Sequence, residues 1–147
     1  MMRTIAIVCL AGLAACGGAQ PEAKTAPTGA AMGAPQSPED QVALGQKLYA
    51  EKCAGCHGAN GAGTKDGPAL VGKEALPAQP HAGQKRSLTF ATALDVASFV
   101  KKSMPMDAPG TLTDEEAYAI LAFDLHANGI ALGRKLDPTY AGTVRLH

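Results

Sequence analysis

The chain has 147 residues, which suits one domain and leaves little room for two. Its 13 basic and 13 acidic side chains cancel, so it lacks the basic footprint of a general nucleic-acid binder, and steering of partners by net charge is weak. With no Trp, three Tyr and three Phe, a core built from side chains alone would be thin.

Residues 1–15 read as a signal sequence, with Arg3 ahead of an apolar run from Ile5 to Leu13. That run falls short of the roughly 20 apolar residues a permanent membrane span needs. It ends in Leu13-Ala14-Ala15-Cys16, which resembles the lipobox of bacterial lipoproteins and implies acylation of Cys16 as the first mature residue. The alternative is an ordinary signal peptide cut near the same small residues, with Cys16 incidental; an unpartnered cysteine in an exported chain favours lipidation. Cys9 would leave with the signal. Gly17 and Gly18 follow where lipoproteins kept at the inner membrane often carry Asp, so the resemblance points to the periplasmic side and leans to the outer membrane.

Residues 16–36 are expected to form a lipidated, flexible tether. From 17 onward they are rich in Ala, Gly, Pro and Thr with only Glu22 and Lys24 charged, too little apolar surface to offset the entropy of ordering them. A folded domain is expected over 37–147. Ser37 can cap a helix, Pro38 fits its first position, and Glu39 and Asp40 suit its positive end. The helix is predicted to run from Pro38 to about Lys52, with Val42, Leu44, Leu48 and Tyr49 on its apolar side. Gly45 inside it costs about 1 kcal/mol against Ala, a cost that makes sense where another helix crosses closely.

Cys53-Ala54-Gly55-Cys56-His57 follows, the C-x-x-C-H spacing of a c-type haem attachment site. Each thiol can add to one porphyrin vinyl group, and the adjacent imidazole then lies under the iron as its proximal ligand. Zinc would need two more Cys or His ligands at short spacing, and the remaining cysteines, Cys9 and Cys16, lie near the start of the chain. A redox-active dithiol would need a βαβ setting that the surrounding sequence does not suggest. One covalent haem c with its iron is therefore the expected cofactor, and it would add the apolar bulk the composition lacks.

Glycines 58, 61, 63, 67 and 72 punctuate the next stretch, and Gly67-Pro68-Ala69-Leu70 begins ten residues past His57. This loop is expected to wrap one face of the haem. Residues 73–89, with Pro77, Pro80, His81 and Gly83, read as an exposed loop. Leu94, Ala97, Phe99 and Val100 predict a helix from about Phe90 to Lys102. Ser103-Met104-Pro105-Met106 comes next. A thioether is a weak neutral ligand that raises the potential of haem iron when paired with His, and Pro105 holds Met104 extended. Both Met104 and Met106 are flexible enough to reach an iron.

Thr113 and Glu116 form a capping box that opens a helix to about Ala127, closed by Asn128-Gly129. Ala117, Tyr118, Leu121 and Leu125 fall on one stripe, the expected crossing partner of Gly45 and Tyr49. Residues 129–147 form a C-terminal extension without clear period, expected either to wrap the domain or to end in disorder. His81, His126 and His147 can in principle replace a thioether ligand; solvated or helix-capping roles fit each better, His126 standing near a helix C-terminus. Lys101 and Lys102 read as a solvated face able to help dock an acidic partner.

Residues 38–129 together resemble a class I cytochrome c: an all-α fold of three main helices and long loops around one covalent haem. C-x-x-C-H is the specific part, and Gly-Pro-x-Leu and Met-Pro add order and spacing. The resemblance implies that the Pro68 carbonyl accepts the Nδ1 hydrogen of His57, fixing the ring's tautomer and basicity, and that Leu70 packs on the same haem face. It implies Met104 rather than Met106 as distal ligand, with His57 and Met104 as the iron ligands. It further implies an aromatic of the last helix, Tyr118, against the glycine of the first, and haem attachment outside the cytoplasm.

Within that class, Met104 to Tyr118 with Asn128-Gly129-Ile130 is similar to the cytochrome domains or subunits of sulfite dehydrogenases and other sulfur-oxidation enzymes. The expected function is that of an electron carrier without catalytic residues of its own. It would serve redox protein partners such as a dehydrogenase, another cytochrome or a terminal oxidase, and meet the membrane through its lipid anchor, with no nucleic acid involved. The alternative is the haem subunit of a sulfur-compound (sulfite) dehydrogenase complex, or a small haem enzyme acting on sulfur compounds or peroxide. A haem-based sensor would need a signalling domain that does not fit in the length.

Overall fold

The structure is a computed structural model that describes residues 34–80, 86 and 89–147. The expected signal sequence, the acylation site Cys16, most of the tether and His81 lie outside the described residues. Within them the fold is helical: α1 (Pro38–Lys52), α2 (Ala54–His57), α3 (Ala93–Ser103), α4 (Asp114–Ala127) and α5 (Pro138–Ala141). Three are long and two are single turns, and no helix among the described residues is long and apolar enough to cross a membrane.

The caps explain the helix limits. Ser37 Oγ accepts the Asp40 amide hydrogen at 3.0 Å while the Asp40 carboxylate accepts from the Ser37 amide at 3.1 Å, and α1 has the expected bounds. Thr113 and Glu116 close the same reciprocal pair at 3.2 and 2.9 Å to open α4. That helix stops where Gly129 takes a positive φ of 79°. The start of α3 differs from the predicted Phe90. The Asp95 carboxylate accepts from the amides of Ala91 and Thr92 at 3.1 and 2.8 Å, which holds Thr92 extended and delays the helix to Ala93. Those bonds hold the Asp95 carboxyl below its ordinary range.

The first and fourth helices cross in close contact at Gly45. A Cβ there would sit 1.8 Å from the Ala119 carbonyl oxygen and 3.0 Å from Phe123 Cβ. One turn on, the Tyr49 and Phe123 rings tilt against each other at 5.2 Å. The aromatic at this crossing is thus Phe123 and not Tyr118, which corrects the expectation from sequence. Ala119 and Phe123, four residues apart, share the face that meets α1. Tyr118 lies about 100° around the helix and packs with Leu76, Phe90 and the buried residues of α3.

Two apolar clusters fill the interior. The larger joins α3, α4 and the C-terminal segment through residues such as Val96, Leu121, Leu125 and Leu136. The smaller consists of Tyr49, Leu112, Ala117 and Ile120, with Cys53, Leu70, Val100 and Phe123 packed against it. Val100 touches both. The stretch predicted as an exposed loop departs from that expectation at Leu76, which is buried in the larger cluster at a positive φ of 47°.

The C-terminal extension wraps the domain. Gln41 in α1 holds both backbone groups of Leu136, donating to its carbonyl at 2.9 Å and accepting from its amide at 2.7 Å. Asp137 caps α5, and residues 144–146 pair with 91–93 through Ala93 N–H to Val144 O at 3.0 Å and Leu146 N–H to Ala91 O at 3.1 Å.

Candidate haem-binding site

At the end of α1 the chain turns through Cys53, whose carbonyl accepts the amide hydrogens of Cys56 at 3.2 Å and His57 at 3.0 Å. One helical turn therefore gathers both thiols and the imidazole. Cys53 is half-buried, Cys56 is exposed, and neither is in a disulfide. His57 is buried, and its Nδ1 lies 2.8 Å from the carbonyl oxygen of Pro68. A carbonyl can only accept, so Nδ1 carries the hydrogen and Nε2 is left as the lone-pair nitrogen, the form a metal requires.

The loop after His57 is built to hold that contact. Gly63 donates to the His57 carbonyl at 2.8 Å, Thr64 donates through its hydroxyl to the Cys56 carbonyl, and Leu70 and Val71 both donate to Gly61 O, at 2.8 and 3.0 Å. Gly67 has no room for a side chain: a Cβ would stand 2.8 Å from Cys56 O and 3.0 Å from His57 Nδ1. The missing methyl is what lets Pro68 press its carbonyl onto the ring. Tyr49 closes the other side by donating to the Gly58 carbonyl at 2.9 Å, and burial pushes its phenol up to about 12.

Of the other residues singled out from sequence, Leu70 packs on the Tyr49–Ile120 cluster together with Cys53. Met104 caps α3 with the extended geometry expected before a proline, φ −121° and ψ 151°, and its amide donates to Val100 O at 2.9 Å. It is half-buried and stands one turn beyond Val100, which itself packs on the cluster that holds Cys53. Met106 is 78% exposed. His126 is exposed on the last turn of α4, and His147 is exposed at the chain end. Lys101 is tied to Asp114 by an ion pair, which leaves Lys102 as the exposed member of that pair of cations.

These residues fit a haem better than the other chemistries of a C-x-x-C pair. Burial, followed by the charge of Asp124, pushes the Cys53 thiol up to about 11, the opposite of the lowered thiol a dithiol oxidant needs. Among the described residues no group of three Cys, His, Asp or Glu converges as a metal-ion site. The pieces that remain are two thiols on one turn, a buried imidazole with its outer nitrogen free to ligate, and an apolar cluster beside them.

Two functional residues escaped the sequence reading. Asn128, taken as a helix stop, donates through Nδ2 to Leu70 O at 2.8 Å, and its Oδ1 accepts from Gly72 N–H at 3.0 Å, so it clamps the loop that carries Pro68. Asp124 is buried in α4 and burial pushes it up to about 7. Its signal was in view as the one charge inside the apolar run from Ala117 to Leu125.

The cytochrome c family profile matches residues 42–126, from the first helix through the last long one. Over 98 residues, or 60% of the chain, the sequence is 37% identical to the thiosulfate dehydrogenase of Stutzerimonas stutzeri. It is 40% identical to that of Psychrobacter arcticus over 88 residues, 56% of the chain. The matches span only 29% and 24% of those relatives. Among solved structures, the sulfane dehydrogenase SoxCD of Paracoccus pantotrophus superposes with a TM-score of 0.52 at 30% identity, covering 71% of this chain and 52% of that one. A profile that matches more than half the chain, on a helical domain with C-x-x-C-H at the end of its first helix, shows that this protein belongs to the cytochrome c family, as an electron carrier with covalently bound haem c.

Proposed function

We propose that Cys53 and Cys56 would hold a single haem by thioether bonds, that His57 and Met104 would ligate its iron, and that the chain accepts electrons from the oxidation of reduced sulfur compounds. The observation that carries this reading is the 2.8 Å contact between His57 Nδ1 and Pro68 O, because it fixes a buried imidazole in the metal-binding tautomer within one turn of two thiols. The haem supplies one-electron ferric/ferrous chemistry. The chain supplies the rest: Pro68 orients His57, Leu70 and the Tyr49–Ile120 cluster provide an apolar wall, and Met104 stands where a pre-proline backbone can present a thioether. The sulfur-compound class rests on relatives named thiosulfate dehydrogenase and on the likeness to a sulfane dehydrogenase. Export and acylation at Cys16 put this electron transfer on the periplasmic side within reach of a membrane, with the outer membrane favoured.

Absorption spectra of the ferric holoprotein test the ligand set. Thioether ligation gives a weak far-red band; Met104→Ala is expected to abolish it and lower the potential, while Met106→Ala leaves both unchanged. High-spin iron in the wild type would refute the assignment.

The names of the relatives favour a second reading, in which this chain itself oxidises the sulfur compound. Incubating the protein with thiosulfate or sulfite and an excess of an artificial one-electron acceptor, in the absence of any protein partner, separates the two. A carrier gives no turnover, and repeated turnover of the acceptor makes the chain an enzyme.

A further inference from the structure

Asp124 is the one buried carboxylate among the described residues, 6% exposed. It lies on α4 one turn beyond Ile120 and two turns beyond Ala117, on the stripe whose residues form the cluster that Cys53 and Leu70 pack against. Asn128, in the following turn, stands 3.4 Å from its Oδ1 through the same Nδ2 that donates to Leu70 O at 2.8 Å. Asp124 thus sits behind the haem-bearing turn, linked by one amide to the loop that carries Pro68.

Among the described residues no ion pair neutralises it. From α1 and the haem-bearing turn the titratable groups that face it are the Tyr49 phenol and the Cys53 thiol, and both feel its charge. Lys52, the cation that acts on Cys53, is engaged with Glu116 at 3.2 Å. The 70–72 segment reaches it only through backbone groups held by Asn128. The contacts of α4 with α3 run through apolar residues such as Val96, Leu121 and Leu125 and, at the first turn of α4 far from Asp124, through the Lys101–Asp114 ion pair. Among the described residues no ion pair includes Asp124, and a carboxylate so placed carries a large desolvation cost when charged. Burial accordingly pushes it up to about 7.

Positive charge appearing beside a buried acid of this kind lowers its hold on its proton. Oxidation of the iron is such an event. We propose that Asp124 is the proton-coupled acid of this haem centre, protonated while the iron is ferrous and ionised when it is ferric. One electron leaves to the redox partner and one proton leaves Asp124 for solvent, so the interior gains no net charge. Asn128 Nδ2, whose two hydrogens go to Leu70 O and to the Asp124 backbone carbonyl at 2.8 Å each, lies 3.4 Å from the carboxylate. This inference rests on Cys53 carrying the haem.

The sign follows from the coupling. Ionised Asp124 favours the ferric state, so the midpoint potential falls as pH rises through neutrality. A tenfold difference in proton affinity between the ferrous and ferric proteins corresponds to about 59 mV. Potentiometric titration of the purified holoprotein across the neutral range is expected to show this fall, and Asp124→Asn, which keeps the side chain's shape without its charge, is expected to give a flat profile. A flat wild-type profile, or the same slope in Asp124→Asn, overturns the proposal.

Redox-difference infrared spectroscopy of the wild type alone provides a second measurement, should the variant load haem poorly. Loss of a protonated-carboxyl signal on oxidation near neutral pH is expected, and its absence overturns the proposal. The pyridine haemochrome spectrum of Cys53→Ser tests the underlying reading separately: one unsaturated vinyl group is expected, and a spectrum with both vinyls saturated would refute Cys53 as a haem anchor without touching the potential measured for Asp124.

Discussion

The smallest feature with a direct reading in the redox chemistry is the missing methyl at residue 67. Any Cβ there meets Cys56 O at 2.8 Å and His57 Nδ1 at 3.0 Å, and the first of these is backbone that cannot swing away. Gly67→Ala must therefore lift the Pro68 carbonyl from the ring. On the proposed ligation, a weaker Nδ1–H···O bond would leave His57 less basic and a poorer donor to ferric iron. The expected outcome is a higher midpoint potential with a stability loss of about 1–3 kcal/mol, the usual cost of overpacking. Potentiometry and denaturant unfolding of the holoprotein measure the two effects separately. An unchanged potential would show that the Pro68 contact does not tune the iron.

At the scale of elements, the crossing of α1 and α4 decides how the terminal helices close on the site. Gly45→Ala gains about 1 kcal/mol of helix propensity, but its Cβ would lie 1.8 Å from the Ala119 carbonyl, so the helices must separate. The overlap wins, and a net loss of about 2 kcal/mol in denaturant unfolding is expected. The need for a crossing at Gly45 was legible in the sequence, as were the bounds of α1 and α4, because Ser37, Asp40, Thr113 and Glu116 are local caps whose chemistry needs no tertiary partner. The identity of the crossing aromatic was not. Eight residues of α4 are buried on nearly every side, so its apolar pattern has no dominant face and cannot tell Tyr118 from Phe123. Asn128 shows the complementary blindness: its place after a helix is visible locally, while its bonds to Leu70 and Gly72 join residues more than 50 positions apart. The Pro68 contact became legible only through the family resemblance.

Across the whole molecule, the two apolar clusters divide the work. The smaller one carries Cys53, Leu70 and the Asp124 stripe, and the larger one is closed by a C-terminal segment that lies beyond the family match ending at residue 126. That segment is part of the fold, since Leu136 is buried in the larger cluster and held at both backbone groups by Gln41. Leu136→Ala is expected to cost about 2–4 kcal/mol as a buried large-to-small change and to leave the haem potential where it was. Asn128→Ala should behave in the opposite way. It leaves the larger cluster whole, costs about 1 kcal/mol by removing the donor to the half-buried Leu70 carbonyl, and shifts the potential, because the clamp on the loop that holds Pro68 on His57 and the amide beside Asp124 are lost together. Denaturant unfolding and potentiometry on both holoproteins give the comparison. A potential that moves with Leu136 as much as with Asn128 would mean that the whole domain, rather than the Asn128 clamp, sets the electronic environment of the iron.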